Sequence, residues 1–345
     1  MAGNQNLTYS QANKQDEFYT RIEDIENECG HYTKFFRDKI ILCNCDDPYE
    51  SMFFQYFAMN FNKFGLKKII AASFAGSLIV QSQLNFEGTP NEIKDFDRKK
   101  DGLKARMTEF KDWNGDGRED LEDVKYFLQN HNGAIKKLHG DENFSAGDFR
   151  SQECIELLKQ ADIVVTNPPF SLFREYIKQL IKFDKKFLII GNMNNITYQN
   201  IFPMLKDNKI WLGYNSGHFW FRVPEYYEEK KTDFKIDSEG QKWRRMGNIC
   251  WFTNLDIDKR HEEIPLVFSY NEEPEKYPKY DNFDAIEVSK IVEIPKDYFG
   301  VMGVPITFID KYNPNQFEIV GRIVTPEINS KKIYKRILIR RKVAD

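Results

Sequence analysis

Residues 162–170 form a short apolar run that ends in Asn167-Pro168-Pro169-Phe170, four residue types that together answer one chemical problem. The exocyclic amine of adenine is a weak nucleophile because its lone pair is delocalised into the ring. An Asn side-chain oxygen and the Pro168 main-chain carbonyl, held side by side, can accept both amine hydrogens and draw the nitrogen toward tetrahedral geometry. Pro168 and Pro169 stiffen the turn, since each fixes its own φ and restricts the residue before it. Phe170 can stack on a base swung out of its duplex, as enzymes acting on bases require. The chemistry predicted is methylation of a base amino group, with Asn167, Pro168, Pro169 and Phe170 as the catalytic set. The plainer reading is a buried strand stopped by Pro-Pro.

Position favours the chemical reading. Ile163-Val164-Val165 is β-branched, as a strand buried on both faces should be. Ser171 is a candidate N-cap, and Leu172, Phe173, Tyr176, Ile177, Leu180 and Ile181 lie on one apolar helical face. The tetrapeptide therefore falls in a strand-to-helix loop, where open α/β sheets bind ligands. Ile40–Asn44, Lys68–Ala72 and Phe187–Ile190 read as further strands, with an aromatic-rich helix over Met52–Phe61. Such alternation predicts an α/β class with a doubly wound, Rossmann-like and largely parallel sheet. Lys209–Tyr214, Phe219–Val223 and Ile249–Asn254 read as later, more antiparallel strands. Beyond residue 258 prolines break the chain into short strands and loops. The expected organisation is a domain over 1–258 with an insertion at 88–143, then a smaller mixed α/β region over 259–345.

The chain has 345 residues, of which 41% are hydrophobic and 15% aromatic, so it is globular rather than disordered. No apolar run approaches the ~18 residues of a membrane span, and residues 1–15 lack the apolar centre of a signal peptide. Five scattered cysteines suit a reducing cytoplasm. Cys43 and Cys45 have no second pair to complete a zinc site, and read as alternate faces of a strand. No cysteine follows a proline, which argues against a cysteine-nucleophile route to C5-methylcytosine.

With a net charge of −3, a nucleic-acid binder must gather its positive charge locally. Lys331, Lys332, Lys335, Arg336, Arg340, Arg341 and Lys342 alternate with apolar residues and suggest one strand with a basic face. Such a face either touches phosphate or guards a solvated sheet edge. Lys242, Trp243, Arg244 and Arg245 mix basic and aromatic groups on what reads as a loop, a mixture suited to DNA contact. The DNA-binding candidates are Lys242, Arg244, Arg245, Lys335, Arg336, Arg340 and Arg341.

Within the insertion, residues 112–123 carry Asp112, Asn114 and Asp116 at loop positions one, three and five, and Gly117 at six. Arg118, Asp120 and Asp123 take positions seven, nine and twelve of an EF-hand-like loop. The stretch resembles the calcium loops of dockerin modules, apart from Glu119 where a small apolar residue usually packs. It predicts a structural calcium ion; a flexible acidic turn is the other reading.

Methyl transfer needs a donor. Asp46-Asp47-Pro48 follows the first strand, where a carboxylate can neutralise a cationic amino acid. Phe18, Tyr19 and Thr20, within Asp16–Thr20, offer an aromatic face to a sulfonium. Asp148 and Phe149 precede the motif strand, and Asp148 can accept from an adenine amine. These are the expected donor-binding residues. Together, residues 16–20, 43–48, 147–151, 166–173, 303–308 and 312–314 resemble the signature stretches of EcoRI-type adenine-specific DNA methyltransferases. The resemblance spans nearly the whole chain except 97–143. It implies S-adenosylmethionine as donor, transfer to adenine N6 in double-stranded DNA at a specific site, and a recognition region after the catalytic motif. The enzyme is expected to act either as an orphan or in a restriction-modification system beside a cognate endonuclease with which it forms no complex. The chain departs from the wider pattern at two places: no glycine-rich first loop, and no carboxylate after the second strand. Rival readings are an amino-methyltransferase acting on cytosine N4, RNA or protein glutamine, and a catalytically silent DNA-binding or calcium-responsive regulator.

Overall fold

The computed structural model describes residues 18–49, 51–74, 101–225 and 227–342, which form two compact units. The first comprises residues up to Asn192 together with Asn215–Leu255. Its strands are β1 (Tyr19–Thr20), β2 (Ile40–Asn44), β3 (Lys68–Ala72), β4 (Gly102–Met107), β5 (Ile135–Leu138), β6 (Ile163–Thr166) and β7 (Lys186–Asn192). They continue with β8 (Trp211–Arg222, from Asn215 onward in this unit), β9 (Phe234–Ile236) and β10 (Lys242–Thr253). All ten lie in one sheet, ordered β1-β8-β10-β7-β6-β2-β3-β4-β5 with β9 paired to β10.

Four central strands are parallel, as the apolar runs predict: β7 with β6, β6 with β2, and β2 with β3. Burial on both faces explains their composition, since Ile41, Leu42, Ile69, Ile70, Val164, Val165, Leu188 and Ile189 are all fully buried. Helices Met52–Met59, Gln152–Gln160 and Phe173–Lys182 fill the connections. From β2 the chain crosses to β3 on one side, while β6 pairs on the other. The switch point of the sheet is therefore the crevice between the ends of β2 and β6.

Several local expectations are revised. Residues 101–138 do not merely interrupt the alternation: β4 pairs antiparallel with β3, and β5 with β4, so this segment widens the sheet. The two strands expected over Lys209–Tyr214 and Phe219–Val223 are one, β8, Trp211–Arg222. Lys242–Arg245 lie on β10, not on a loop: residues 242–244 pair antiparallel with β9, and the Arg245 N–H bonds the Asp233 carbonyl at 2.8 Å. Cys45 is not the opposite face of a strand. It sits just past β2 at φ 62°, the left-handed conformation that glycine usually fills, with its N–H donated to Asn44 Oδ1 at 3.1 Å. Ser171 does not cap a helix: Leu172 N–H bonds the Pro169 carbonyl at 3.0 Å, a 3-10 turn forms over Phe170–Leu172, and the helix starts at Phe173.

The second unit comprises Met193–Tyr214 and residues from Asp256 onward. Its strands are β11 (Ile286–Glu287), β12 (Met302–Pro305), β13 (Phe317–Ile323), β14 (Glu327–Ile328), β15 (Lys331–Lys332) and β16 (Arg336–Arg341). Four form a sheet in the order β11-β12-β16-β13 around buried Met302, Val304, Phe308, Phe317, Ile337 and Ile339; β14 and β15 pair separately. The segment 193–214, which the sequence reading assigns to the first domain, packs here, with Arg322 of β13 over the Phe202 ring at 5.5 Å. The basic strip is not one strand but β15 and β16. Since β16 is flanked by β12 and β13, it is no solvated edge.

Candidate active site

At the switch point lies a cavity of about 250 Å³. Phe18, Tyr19, Thr20, Asp46, Asp47, Asp148, Phe149, Asn167, Pro168 and Pro169 line it, joining four segments that are far apart in sequence. Pro48 and Phe170 are not among the lining residues. Phe170 packs instead in a parallel stack with Phe18, centroids 5.7 Å apart, and edge-on to Phe221 at 6.1 Å. Asp16 and Glu17 lie outside the described residues. Sequence reasoning missed Cys45, Ser51, Met52, Phe53, Ser73, Phe74, Gly147, Arg150 and Leu172, which complete the wall. Cys45, Gly147, Arg150 and Leu172 fall within the signature stretches, a signal that could have found them; the others are mostly apolar or small, and residue type alone does not separate them from ordinary core.

Asn167 is oriented by the segment opposite. Its Nδ2 donates to the Phe18 carbonyl at 2.7 Å, which fixes the amide, because a carbonyl can only accept. Its Oδ1 is buried and has no hydrogen-bond partner. Leaving such an acceptor unpaired costs about 1–3 kcal/mol, so its orientation asks for a donor that the described residues do not provide. Thr20 Oγ1, also in the wall, is buried and unpartnered too.

Three carboxylates line the same cavity. Asp47 accepts the Tyr49 N–H at 2.8 Å in the turn that leads to Ser51, whose Oγ caps the helix Met52–Met59 through the Phe53 N–H. Asp46 is buried, and desolvation raises its carboxyl to about 7, opposed by hydrogen bonds from Thr166 and Ser51. Asp148 is gripped bidentately by Arg150, through Nε at 2.9 Å and Nη2 at 2.8 Å, and Arg150 also reaches Glu175 at 2.9 Å. The guanidinium is in turn held more firmly in its charged form by Asp148. The loop carrying Asp148 sits so close to the end of β3 that a Cβ on Gly147 (φ 75°) would fall 1.8 Å from the Ser73 carbonyl oxygen. Phe149 is fixed edge-on against Tyr176 at 4.9 Å, and its carbonyl accepts from Gln179 Nε2 at 2.9 Å.

These groups suit a cationic, adenine-bearing methyl donor: carboxylates for its ammonium and sulfonium, aromatic walls, and unpartnered buried acceptors. The thiols do not suit nucleophilic catalysis. Burial pushes Cys45 and Cys43 well up and Cys154 to about 11, so they stay protonated.

The chain matches the family described as "Adenine-specific methyltransferase EcoRI" over residues 6–342. It belongs to that family. Among curated relatives it is similar to the Type II methyltransferase M.EcoRI of Escherichia coli, at 46% identity over 99% of this chain and 98% of the relative. It is also similar to the Type II methyltransferases M.MpnI of Mycoplasma pneumoniae, at 36% identity over 91% and 84%, and M.MgeORF184P of Mycoplasma genitalium, at 36% over 95% and 96%. No solved structure matches significantly. Membership of this family implies S-adenosylmethionine as the donor.

The calcium expectation is not supported. Asp112 accepts the N–H groups of Gly115, Asp116 and Gly117, Asn114 and Asp116 accept those two residues further on, and Asp120 accepts that of Glu122. Asp123 is buried, and its oxygens take the Trp113, Asn114 and Asp120 N–H groups as the capping box of helix Leu121–Asn130. Among the described residues no group of three metal-ligating side chains converges.

The basic candidates are engaged within the protein. Lys242 reaches the Tyr227 carbonyl, Arg244 the Thr232 and Asp233 carbonyls, and Arg245 lies 3.6 Å from Asp233. Lys335 donates to Thr197 Oγ1 at 3.3 Å, Arg341 covers the Phe299 ring, and exposed Arg340 lies 3.5 Å from Glu318. Arg336 grips buried Glu287 at 2.6 Å, and Tyr280 also bonds that carboxylate. No helix among the described residues is long and apolar enough to cross a membrane.

Proposed function

We propose that this protein transfers a methyl group from S-adenosylmethionine to N6 of an adenine extruded from duplex DNA at a specific site. The observation that carries the reading is the buried, unpartnered Oδ1 of Asn167, a residue that lines a carboxylate-bearing cavity and whose amide is fixed by the Phe18 carbonyl. Asn167 Oδ1 and the Pro168 carbonyl accept the two amine hydrogens and localise the nitrogen lone pair. Asp46 and Asp47 hold the donor's cationic portion, Asp148 accepts from its adenine amine, and Phe18, Tyr19, Thr20 and Phe149 supply the walls. The donor supplies a methyl group on a sulfonium, made electrophilic by the positive charge. Extrusion of the base costs a few kcal/mol, and Phe170 takes the flipped ring once Phe18 shifts from its stack. Positioning and electrostatics provide the acceleration, with no covalent intermediate.

In this reading residues 1–258 carry methyl transfer and 259–345 recognise the target. Lys242, Arg244, Arg245, Lys335, Arg336, Arg340 and Arg341 are the candidate phosphate contacts, for which their present partners would be exchanged. The Type II designation of the relatives supports a restriction-modification role in the cytoplasm, beside an endonuclease that acts separately. Nucleosides from DNA treated with the enzyme and S-adenosylmethionine, resolved by mass spectrometry, test the claim. N6-methyladenine is expected; N4-methylcytosine, or no methylated nucleoside, refutes it.

A further inference from the structure

Thr166 has one hydroxyl proton and stands between two oxygens at the switch point. Its Oγ1 contacts the Asn44 main-chain carbonyl on one side and lies 2.7 Å from Asp46 Oδ2 on the other. The carbonyl can only accept, and an ionised carboxylate can only accept. With Asp46 ionised, Thr166 satisfies one neighbour and turns a lone pair on the other, in a place where Thr166 is 0% and Asn44 2% exposed. With Asp46 protonated the chain closes: Asp46 donates to Thr166 Oγ1, and Thr166 donates to the Asn44 carbonyl. We propose that Asp46 is protonated in the free enzyme, closing the chain from Asp46 through Thr166 to the Asn44 carbonyl, and that binding of the cationic methyl donor expels this proton to solvent while the Thr166 hydroxyl turns from the Asn44 carbonyl to the new carboxylate. The inference rests on the cavity being the donor site. Thr166 is thus a positioning residue that acts through Asp46, one residue before the catalytic Asn167.

The surroundings agree. Burial is the main reason that the Asp46 carboxyl rises to about 7. On its own loop Asp47 adds a like charge, while Ser51 donates to the ionised form. Cys43 from β2, Cys45 from the loop after it and Tyr176 from helix Phe173–Lys182 face the same spot, all held neutral by burial. From the loop before helix Gln152–Gln160, Asp148 acts on Cys45 but is charge-paired with Arg150, which also serves Glu175. The free site is therefore arranged to accommodate a neutral Asp46, and an arriving cation changes that balance.

The test is calorimetric titration of the full-length enzyme with S-adenosylmethionine, without DNA, in buffers of different ionisation enthalpy. At pH 6 the donor's α-amino group, ordinarily near 8, keeps its proton, so any proton released comes from the protein. Wild-type protein should release close to one proton per donor at pH 6 and little at pH 8, with affinity about tenfold weaker at pH 6. Asp46→Asn should abolish release at pH 6. Thr166→Val should move the midpoint of release upward, because ionised Asp46 loses a donor, and Thr166→Ser should restore it. Wild-type binding without proton release at pH 6 overturns the inference and leaves the donor site standing. A wild-type midpoint in folded Thr166→Val removes Thr166 from it. Absence of donor binding at both pH values overturns the donor site, and the inference with it. The wild-type measurement decides the matter even if a variant fails to fold.

Discussion

At the end of β6, Asn167 commits its amide N–H to Phe18 and keeps Oδ1 buried and unpartnered, while Asp46, Asp47 and Asp148 share its cavity. In residues 112–123 the side-chain oxygens are as dense, yet the loop's own N–H groups take them up: three go to Asp112, and three more to Asp123. Both regions match a ligand-binding pattern by residue type and spacing. They differ in what remains after the chain has satisfied itself. A recognition group is one that tertiary structure leaves without an internal partner, and a structural group is one already used. Arg244 of β10 and Arg336 of β16 resemble the loop in this respect, since both already have partners within the protein, whereas Arg341 Nε and Nη1 are buried without a hydrogen bond.

The contrast can be broken most sharply at Asn167. Asn167→Ala removes the unpartnered acceptor and should lower methyl transfer at least 10²–10³-fold with donor affinity changed only a few-fold; tritiated-methyl incorporation and calorimetry separate the two. Retained turnover would sink the role assigned to that residue. Next comes the wall. Gly147→Ala places a methyl against the Ser73 carbonyl at positive φ and should cost about 3 kcal/mol, read as a lower urea midpoint with weakened donor binding.

Asp46 gives the pH arm. Its folded-state pKa, about 7, lies above its ordinary value of 3.8, so the native state binds more protons than the unfolded chain between those limits. Its contribution to stability is full below about 4 and is lost as pH rises through about 7, a change of roughly 4 kcal/mol over the whole window. Chemical denaturation of the donor-free enzyme from pH 5 to 8 should show this slope, and Asp46→Asn should flatten it. A wild-type slope in Asp46→Asn would assign the effect to another group.

On the other side of the comparison, Asp123→Ala strands three N–H groups and should cost about 1–3 kcal/mol without touching methyl transfer. Calcium or a chelator should leave the wild-type melting temperature unchanged; a calcium-dependent rise would restore the ion-binding reading. The smallest effect is expected at exposed Arg340. Arg340→Ala should shift stability by under about 0.5 kcal/mol, and if Arg340 meets phosphate it should lower the salt dependence of DNA affinity by about one unit of slope.

The parallel centre of the sheet could be read from the chain because each strand is a short, β-branched run buried on both faces, and nothing else buries such a run. Asn167-Pro168-Pro169-Phe170 could be read because the two prolines restrict the backbone locally. The antiparallel widening by β4 and β5 could not, since strands at a sheet margin alternate weakly and sit among charges. Nor could the placing of Lys242–Arg245 on a hairpin, or of 193–214 with the C-terminal unit, both of which depend on partners distant in the chain. Phe170 marks the same limit: its type suggested stacking, and only the fold put Phe18 against it.

Residue type and local backbone stiffness alone determined the family motif, the parallel strands and the acids that follow β2. Tertiary structure decided which polar atoms stayed available. The Phe18 carbonyl, 149 positions from Asn167, chose the direction of the amide, and Thr166, 120 positions from Asp46, set the neighbourhood of that carboxyl. Hydrogen-bond capacity is a property of a residue, whereas its surplus is a property of everything packed around it.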